Sequence, residues 1–273
     1  MFDVIVIGGG HAGVEAAHAV YRQGLNCCLV TFKAETIGQM SCNPAIGGLG
    51  KSHLVREVDA LGGIMAQATD RSGIQSRTLN TRKGFAVQAL RVQCDRDKYK
   101  QAIQELLLET NITIKEGEVV DIILEQNTIL GVELSSGERI NSSKTILTTG
   151  TFLNGVMYKG DEKISGGRVG DSTSIPLSEK LYDLKLPMGR LKTGTPARIK
   201  LSSIDLNLIE EQPGDKNPPP MSVLQPPQAT LPQISCYITR TNKQTHKIIS
   251  DNTHLSAMYS GKISGIGPRY CPS

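Results

Sequence analysis

Three glycines near the start of the chain have a spacing that suits a nucleotide phosphate. They belong to the hexad Gly8-Gly9-Gly10-His11-Ala12-Gly13, between an apolar run and helix-forming residues. In such a strand–turn–helix unit Gly8 permits a tight turn, Gly10 lets the backbone approach a pyrophosphate, and Gly13 lets helix and strand pack closely. The helix N-terminus adds unpaired N–H groups and the positive end of its dipole. The hexad predicts a bound dinucleotide.

A second glycine-rich segment carries a thiol. Between Gly38 and Lys51 the chain reads GQMSCNPAIGGLGK, and Cys42 lies shortly before a predicted helix. A thiol close to a helix N-terminus and a lysine has a lowered pKa, which favours the nucleophilic thiolate. A small buried apolar residue is the alternative for any single cysteine. The density of glycine favours a loop that faces a ligand and makes Cys42 a candidate nucleophile.

The elements that position these residues begin with a βαβ unit. Strand 3–7, helix 13–23 and strand 27–31 form this unit, and helices are predicted at 51–61 and 98–109. The fingerprint usually ends its second strand with an acid that binds the ribose hydroxyls. Here Thr31 stands at that place and the nearest acid is Glu35, so this criterion leaves NAD and FAD open.

The later strands favour FAD. Strand 112–115 precedes a hairpin of 118–125 and 129–134, and the chain returns through short strands near 139–141 and 145–148. This order predicts an α/β fold: an FAD-binding Rossmann-like parallel sheet with an inserted antiparallel β meander, plus part of a second inserted domain. Plain NAD dehydrogenases usually alternate strand and helix throughout.

A change of composition predicts a domain boundary near residue 200. Residues 1–200 are expected to form the FAD-binding domain, which would resume beyond residue 273. Residues 201–273 are expected to begin the inserted domain. Seven of the thirteen prolines fall within 213–232, which predicts an extended connector that contributes no core element.

The charge distribution and the cysteine content indicate which partners and which cellular compartment are expected. The net charge is +4, yet residues 71–100 carry eight basic and two acidic groups, and 185–200 add five basic groups without an acid. Such stretches suit a polyanionic partner such as a nucleic acid; the alternatives are that they are solvated faces or bind the cofactor phosphates. No apolar run reaches membrane-span length, and no secretory signal is expected. Six cysteines without zinc spacing predict a reducing cytoplasm and no metal site.

Several longer motifs resemble one family of tRNA-modifying enzymes, the MnmG (GidA) family. They are the hexad, the GQMSCNPAIGG run from Gly38, EVDALGG from Glu57, SGGR from Ser165, GRLKTGTP from Gly189 and GPRYCPS from Gly267. The resemblance runs from one end of the chain to the other. It implies an FAD protein that, with the GTPase MnmE, modifies C5 of the wobble uridine, number 34 of the tRNA. NADH would reduce the flavin, methylenetetrahydrofolate would donate one carbon, and glycine or ammonium would complete the substituent.

The resemblance also implies site residues. The FAD contacts would be Gly8, Gly9, Gly10, His11, Ala12, Gly13, Val120 and Ser174. A stretch assigned to NAD would begin with Gly267, Pro268, Arg269, Tyr270, Cys271, Pro272 and Ser273. Cys42 and Cys271 would be catalytic thiols, one of them adding to C6 of the uracil. Basic candidates for tRNA phosphate or folate glutamate are Arg82, Lys83, Arg91 and Lys192.

Chains of this family are much longer and are expected to form homodimers. The C-terminal region that would bind MnmE lies beyond residue 273, so weak or no activity is expected of these residues alone. The folate- and FAD-dependent tRNA uracil-5 methyltransferases are the alternative enzyme, although Thr31 and residues 39–48 count against them. A non-catalytic FAD- or RNA-binding fragment is the alternative of another class.

Overall fold

A computed structural model describes residues 1–41, 43–194, 196, 198–224, 231–263 and 265. They divide into two compact units. The first comprises Met1–Gly150 and Pro213–Ser235, and the second comprises the described parts of Thr151–Gln212 and Cys236–Ser273. These limits differ from the single boundary expected near residue 200. The assignment of residues 1–200 to FAD and of 201–273 to an inserted domain stays a prediction.

The first unit is an α/β structure built around a parallel sheet. In chain order its described elements are β1 (Phe2–Ile7), α1 (His11–Arg22), β2 (Cys27–Thr31), β3 (Ala45–Gly47), α2 (Lys51–Ala60), α3 (Met65–Ser72), β4 (Gly73–Leu79), β5 (Ala89–Cys94), α4 (Arg96–Leu108), β6 (Thr113–Glu116), β7 (Val119–Glu125), β8 (Thr128–Leu134) and β9 (Arg139–Leu147). The strand order is β6-β2-β1-β9-β8-β7. β6, β2, β1 and β9 run parallel.

Apolar β-branched sequences explain the centre of this sheet. All five residues of β2 are buried, and so are the last four of β1, as expected of strands covered on both faces. Val6, Leu29 and Val14 of α1 belong to the same core cluster. Cys27 and Cys28 are buried and free.

The predicted meander is present. β7 pairs antiparallel with β8, and β8 with β9. Gln126 and Asn127 join β7 to β8 in left-handed conformations, with φ of 47° and 67°, as two-residue hairpin turns require. β9 is one long strand where two short ones were expected. The Rossmann-like α/β class with its inserted meander is therefore confirmed.

The first unit also contains a smaller antiparallel sheet that the sequence pattern does not predict. Its strand order is β3-β5-β4, and β4 follows α3 without a connecting loop. The polar sequence of β4, GIQSRTL, lacks a clean period of two. Pairing with β5 over Thr78–Leu90 and Arg77–Arg91, not local pattern, makes this segment a strand.

The proline-rich segment does contribute to the core, contrary to the expectation for 213–232. Met221 is fully buried in the main cluster. The Asp70 carboxylate accepts the N–H groups of Met221 and Ser222 at 2.7 and 2.8 Å. Asp59 accepts the Ser222 hydroxyl and the Val223 N–H, both at 2.8 Å. Two carboxylates thus hold backbone that has no secondary structure of its own.

The second unit consists of short elements. They are β10 (Val156–Lys159), β11 (Glu162–Ser165), α5 (Pro176–Asp183), β12 (Glu210–Gln212), β13 (Cys236–Ile238) and α6 (Lys243–Asn252). β10 pairs with β11 and β12 with β13, both antiparallel. No helix in the described part of the chain is long and apolar enough to span a membrane.

Candidate cofactor site

The glycine turn lies between β1 and α1, at the carboxyl end of the parallel strands. Gly8 has a φ of 110°, and a Cβ there would fall on the carbonyl oxygen of Thr148. A Cβ on Gly13 would fall on the carbonyl oxygen of Gly8. Both neighbours are backbone atoms, which cannot turn aside. The tight turn and the close approach of helix to strand have the geometry that the sequence predicted.

Gly10 differs from the other two glycines because it faces open space. A Cβ at Gly10 would meet no atom within 4 Å. Gly10 caps α1 without a side-chain hydrogen bond, and the first turn of α1 contains no acidic residue. Its first N–H groups have no intrahelical partner. The backbone at this end of α1 is therefore an open cradle for an anion.

The His11 side chain, at the first position of α1, is packed within the protein. Its ring stacks on Tyr99 of α4, with 5.5 Å between centroids and 25° between planes. Burial lowers the pKa of His11 below its usual value and raises the pKa of Tyr99. His11 is therefore neutral near pH 7 and packs α1 against α4.

Glu15 ties the same helix to α3. Its carboxylate accepts the N–H groups of Ile64 and Met65 at 3.0 and 2.6 Å, where α3 begins. Burial raises the pKa of Glu15, while the hydrogen bond from Met65 opposes that rise. The acid of α1 is thus directed at another helix N-terminus and leaves the phosphate cradle free of its charge.

Arg96 is a candidate residue that the motifs did not single out. Its Nη2 donates to the carbonyl oxygen of Met40 at 3.1 Å, and its Nε is buried with no partner among the described residues. Arg96 precedes Tyr99 by one turn on α4, and Tyr99 lies on His11. A buried guanidinium N–H without an acceptor is costly. An anionic acceptor would satisfy this Nε, and a dinucleotide phosphate is such an acceptor.

Two acids lie near the end of β2, where the fingerprint usually has its ribose ligand. Glu35 is exposed. Glu116 ends β6, and its Oε1 accepts the N–H of Ala34 at 2.6 Å. Only long-range pairing of β6 with β2 brings Glu116 there. Either carboxylate could take the role left open by Thr31.

Comparison with known proteins decides the family. A sequence model of the family described as "Glucose inhibited division protein A" matches residues 3–273. The chain belongs to the GidA family. Aquifex aeolicus GidA in its form I crystal is 48% identical with a TM-score of 0.91, over 100% of this chain and 46% of that one. In form II it is 47% identical with a TM-score of 0.88, over 93% of this chain and 43% of that one.

The chain therefore spans less than half the length of these Aquifex GidA chains. A GidA-related protein from Thermus thermophilus shares the fold at 18% identity and a TM-score of 0.50, over 67% of this chain and 68% of that one. The predicted family membership is confirmed.

The residues that the GidA resemblance added to the hexad are spread over both units. Val120 is half-buried on β7, three residues after Gly117, whose N–H donates to the Thr31 carbonyl at 2.8 Å. Ser174 is buried in the second unit, where its N–H donates to Phe152 at 2.9 Å. Cys42 and Gly267–Ser273, with Cys271, lie outside the described residues.

Two arginines bind the chain on either side of position 42. Arg96 donates to the Met40 carbonyl, and Arg91 Nη2 donates to Asn43 Oδ1 at 3.4 Å. The N–H of Cys94 donates to the Pro44 carbonyl at 2.7 Å. The loop's flanks are thus attached to β5 and to the start of α4. The described residues contain no group of three His, Cys, Asp or Glu that could hold a metal ion.

The basic candidates have different surroundings. Arg82 and Lys83 are exposed in the loop between β4 and β5, whereas Arg91 is half-buried within β5. Lys192 belongs to the second unit, where its Nζ donates to Ile263 at 3.5 Å. Of the four, Arg82 and Lys83 are the ones most available to a polyanion.

Proposed function

We propose that the chain is part of an FAD-dependent tRNA-modifying enzyme. The reaction adds a carboxymethylaminomethyl or aminomethyl group at C5 of wobble uridine 34. The observation that carries the proposal is the cradle at Gly10, open to an anion and followed by α1, in a chain of the GidA family.

The residues proposed as FAD contacts begin with the glycine hexad. Gly8–Gly13 and the first turn of α1 hold the pyrophosphate, and the Nε of Arg96 donates to one of its oxygens. Val120 and Ser174 are further FAD contacts. The stretch from Gly267 to Ser273 contributes to NAD binding. When bound, the flavin would supply hydride and electron transfer, with NADH as the reductant.

The thiols act on the uracil. A thiolate at Cys42 or Cys271 adds to C6, forms a C–S bond and makes C5 nucleophilic. After the substituent joins C5, loss of the C5 proton expels the thiolate and restores the ring. For Cys42 the supporting observation is that two guanidinium groups contact nearby residues of the same loop, Arg91 at Asn43 and Arg96 at Met40. Positive charge favours a thiolate. Retained modification in a Cys42→Ser, Cys271→Ser double variant would refute this role.

The remaining components follow from the family resemblance. They are the GTPase MnmE as partner, methylenetetrahydrofolate as one-carbon donor, glycine or ammonium for the amine, a homodimer and a cytoplasmic location. Arg82, Lys83, Arg91 and Lys192 are the phosphate contacts of the tRNA or of the folate glutamate tail.

Nucleoside analysis of cells tests the reaction whatever the length of the active chain. The gene that encodes this chain is deleted, and total tRNA is hydrolysed and examined by mass spectrometry. We expect the 5-carboxymethylaminomethyl and 5-aminomethyl uridines to disappear. Loss of 5-methyluridine instead would favour the uracil-5 methyltransferase, and unchanged tRNA would contradict both enzymes.

A further inference from the structure

The loop between β4 and β5, residues 80–88, carries an aromatic side chain that the fold leaves in water. Phe85 is 90% exposed. It is the one exposed aromatic residue among the described residues of the first unit, where Tyr99 by contrast is fully buried. Scattered exposed apolar residues are common, so exposure alone assigns nothing. The backbone and the charges around Phe85 are what indicate a binding role.

The loop backbone is held in place by hydrogen bonds. Asn80 has a left-handed φ of 58° and accepts the N–H of Lys83 at 2.8 Å. Its side chain donates to the Val87 carbonyl at 3.2 Å. Gln88 donates through its side chain to Lys83 at 3.0 Å and through its backbone to Phe85 at 3.1 Å. The Phe85 ring is therefore presented on a preorganised backbone.

A helix supports the loop from the side. The Nε2 of His53, on α2, lies 3.1 Å from the Ala86 carbonyl oxygen. This contact fixes the turn that follows Phe85 to an element of the core unit. A preorganised loop loses less entropy when a ligand binds.

The charges beside Phe85 are of one sign. Residues 71–94 contain five basic residues and no acid. Arg82 and Lys83 are exposed and form no ion pair among the described residues. The acid that lies against this hairpin is Asp215, and its carboxylate accepts the Thr78 N–H at 2.7 Å, within β4. The loop tip itself is cationic.

We propose that residues 80–88 bind an unpaired segment of RNA, with a base stacked on Phe85 and phosphates beside Arg82 and Lys83. Single-stranded nucleic acid is bound by this combination of an aromatic platform and cationic side chains. A protein partner would use the aromatic ring equally well, but a tip with two unpaired cations and no acid favours a polyanion. The inference rests on the proposed tRNA substrate and locates where that RNA is held.

Fluorescence anisotropy with labelled RNA tests the loop. The probes are an unmodified tRNA transcript, a 12-nucleotide oligouridylate and a 12-base-pair RNA duplex. We expect Phe85→Ala to weaken oligouridylate binding about ten-fold, because each stacked base contributes on that order. Phe85→Tyr keeps the stacking face and is expected to bind as the wild type does. Duplex affinity is expected to stay unchanged in Phe85→Ala.

Salt dependence and a matched variant complete the test. The Arg82→Ala, Lys83→Ala double variant is expected to lower the slope of log affinity against log salt by about 1.4 for the oligouridylate. Tyr259→Ala removes a 73% exposed aromatic residue of the second unit and is the control. Equal losses for Phe85→Ala and Tyr259→Ala, or equal losses on duplex and single strand, overturn the proposal.

The failure of this inference is separable from failure of the proposed function. If Phe85→Ala binds tRNA as tightly as the wild type does, the loop assignment alone is overturned. Absence of any RNA affinity in the wild-type chain overturns the loop assignment, while the nucleoside analysis decides the reaction independently.

Discussion

At the scale of single residues, Gly13 is expected to matter for folding and Gly10 for cofactor binding. An alanine at Gly13 gains about 1 kcal/mol of helix propensity. Its Cβ, however, would fall on the backbone oxygen of Gly8, and overpacking of that kind costs about 1–3 kcal/mol or more. The steric cost is the larger of the two because neither backbone can move independently.

We therefore expect Gly13→Ala to lower the melting temperature of the chain. Gly10→Ala is expected to melt at least as high as the wild type, because its φ of −75° suits alanine and its Cβ meets nothing. Differential scanning calorimetry of both variants without added nucleotide measures this. Equal melting temperatures for the two variants would contradict the packing role of Gly13.

The buried thiols give a second prediction. Burial raises the pKa of Cys27 and Cys94 to about 12 and that of Cys28 to about 11. At about pH 8 the thiolate fraction of each is then on the order of one in a thousand or less. We expect iodoacetamide to leave all three unmodified in the native chain and to alkylate them in guanidinium chloride, as mapped by mass spectrometry. Half-buried Cys236 is the internal reference.

The roles of residues could be predicted from the sequence where backbone geometry dictates them. They were harder to predict where they depend on contacts between side chains distant in sequence. The glycine spacing alone fixed the turn, because only glycine satisfies a φ of 110° at position 8 without strain. Arg96 and Glu116 could not be recognised, since each reaches the site through long-range pairing. His11 stays a predicted cofactor contact, and the packing of its ring on Tyr99 is a further role that the spacing does not indicate.

At the scale of elements, Glu15 couples α1 to α3 and makes that coupling depend on pH. Because burial raises its pKa in the folded chain, the folded state binds a proton more tightly than the unfolded state. The associated stabilisation is complete below the unfolded pKa of about 4.3 and is lost as pH rises through the higher folded value.

Glu15→Gln removes this titration. We expect the stability of the wild type relative to Glu15→Gln to fall as the pH is raised from about 4 towards 7, measured by urea unfolding. Glu15→Ala leaves the Ile64 and Met65 N–H groups without an acceptor and is expected to cost about 1–3 kcal/mol. A pH-independent difference between wild type and Glu15→Gln would contradict the assignment.

The segment Pro213–Ser235 depends on two carboxylates instead of regular structure. Asp70→Asn replaces one acceptor with an NH₂ group that faces the N–H of Met221 or Ser222. We expect faster hydrogen–deuterium exchange at 221–224 and a loss on the order of 2 kcal/mol. Asp183→Asn changes an exposed acid at the end of α5 and is the matched control. Unchanged exchange in Asp70→Asn would show that the segment is held by other contacts.

Elements with strong periodicity were predictable within a few residues. α1, β2, α2, α4 and the β7–β8 hairpin follow from apolar spacing, glycine and the turn at Gln126. The sheet of β3, β4 and β5 does not, because its strands are short or polar and are stabilised by partners distant in sequence. The core position of Met221 could not be predicted either, because it also depends on partners distant in sequence.

At the scale of the molecule, charge and cofactor geometry point to two ligands. The cationic hairpin tip suits RNA, and the open end of α1 with the orphaned Nε of Arg96 suits a dinucleotide. The proposed function joins the two in one enzyme. The cofactor claim is the more fundamental, because the proposed chemistry on uridine needs the flavin.

Equilibrium binding of FAD to the chain tests that claim most directly. Wild type, Gly10→Ala and Gly189→Ala are titrated with FAD and followed by quenching of flavin fluorescence. Gly189 also has open space at its Cβ position but lies in the second unit, and it is the control. We predict equal affinities for wild type and Gly189→Ala, and at least about ten-fold weaker binding for Gly10→Ala, since a methyl group would displace the pyrophosphate from the backbone. Absence of FAD binding in the wild type, or equal affinity in Gly10→Ala, would contradict the account.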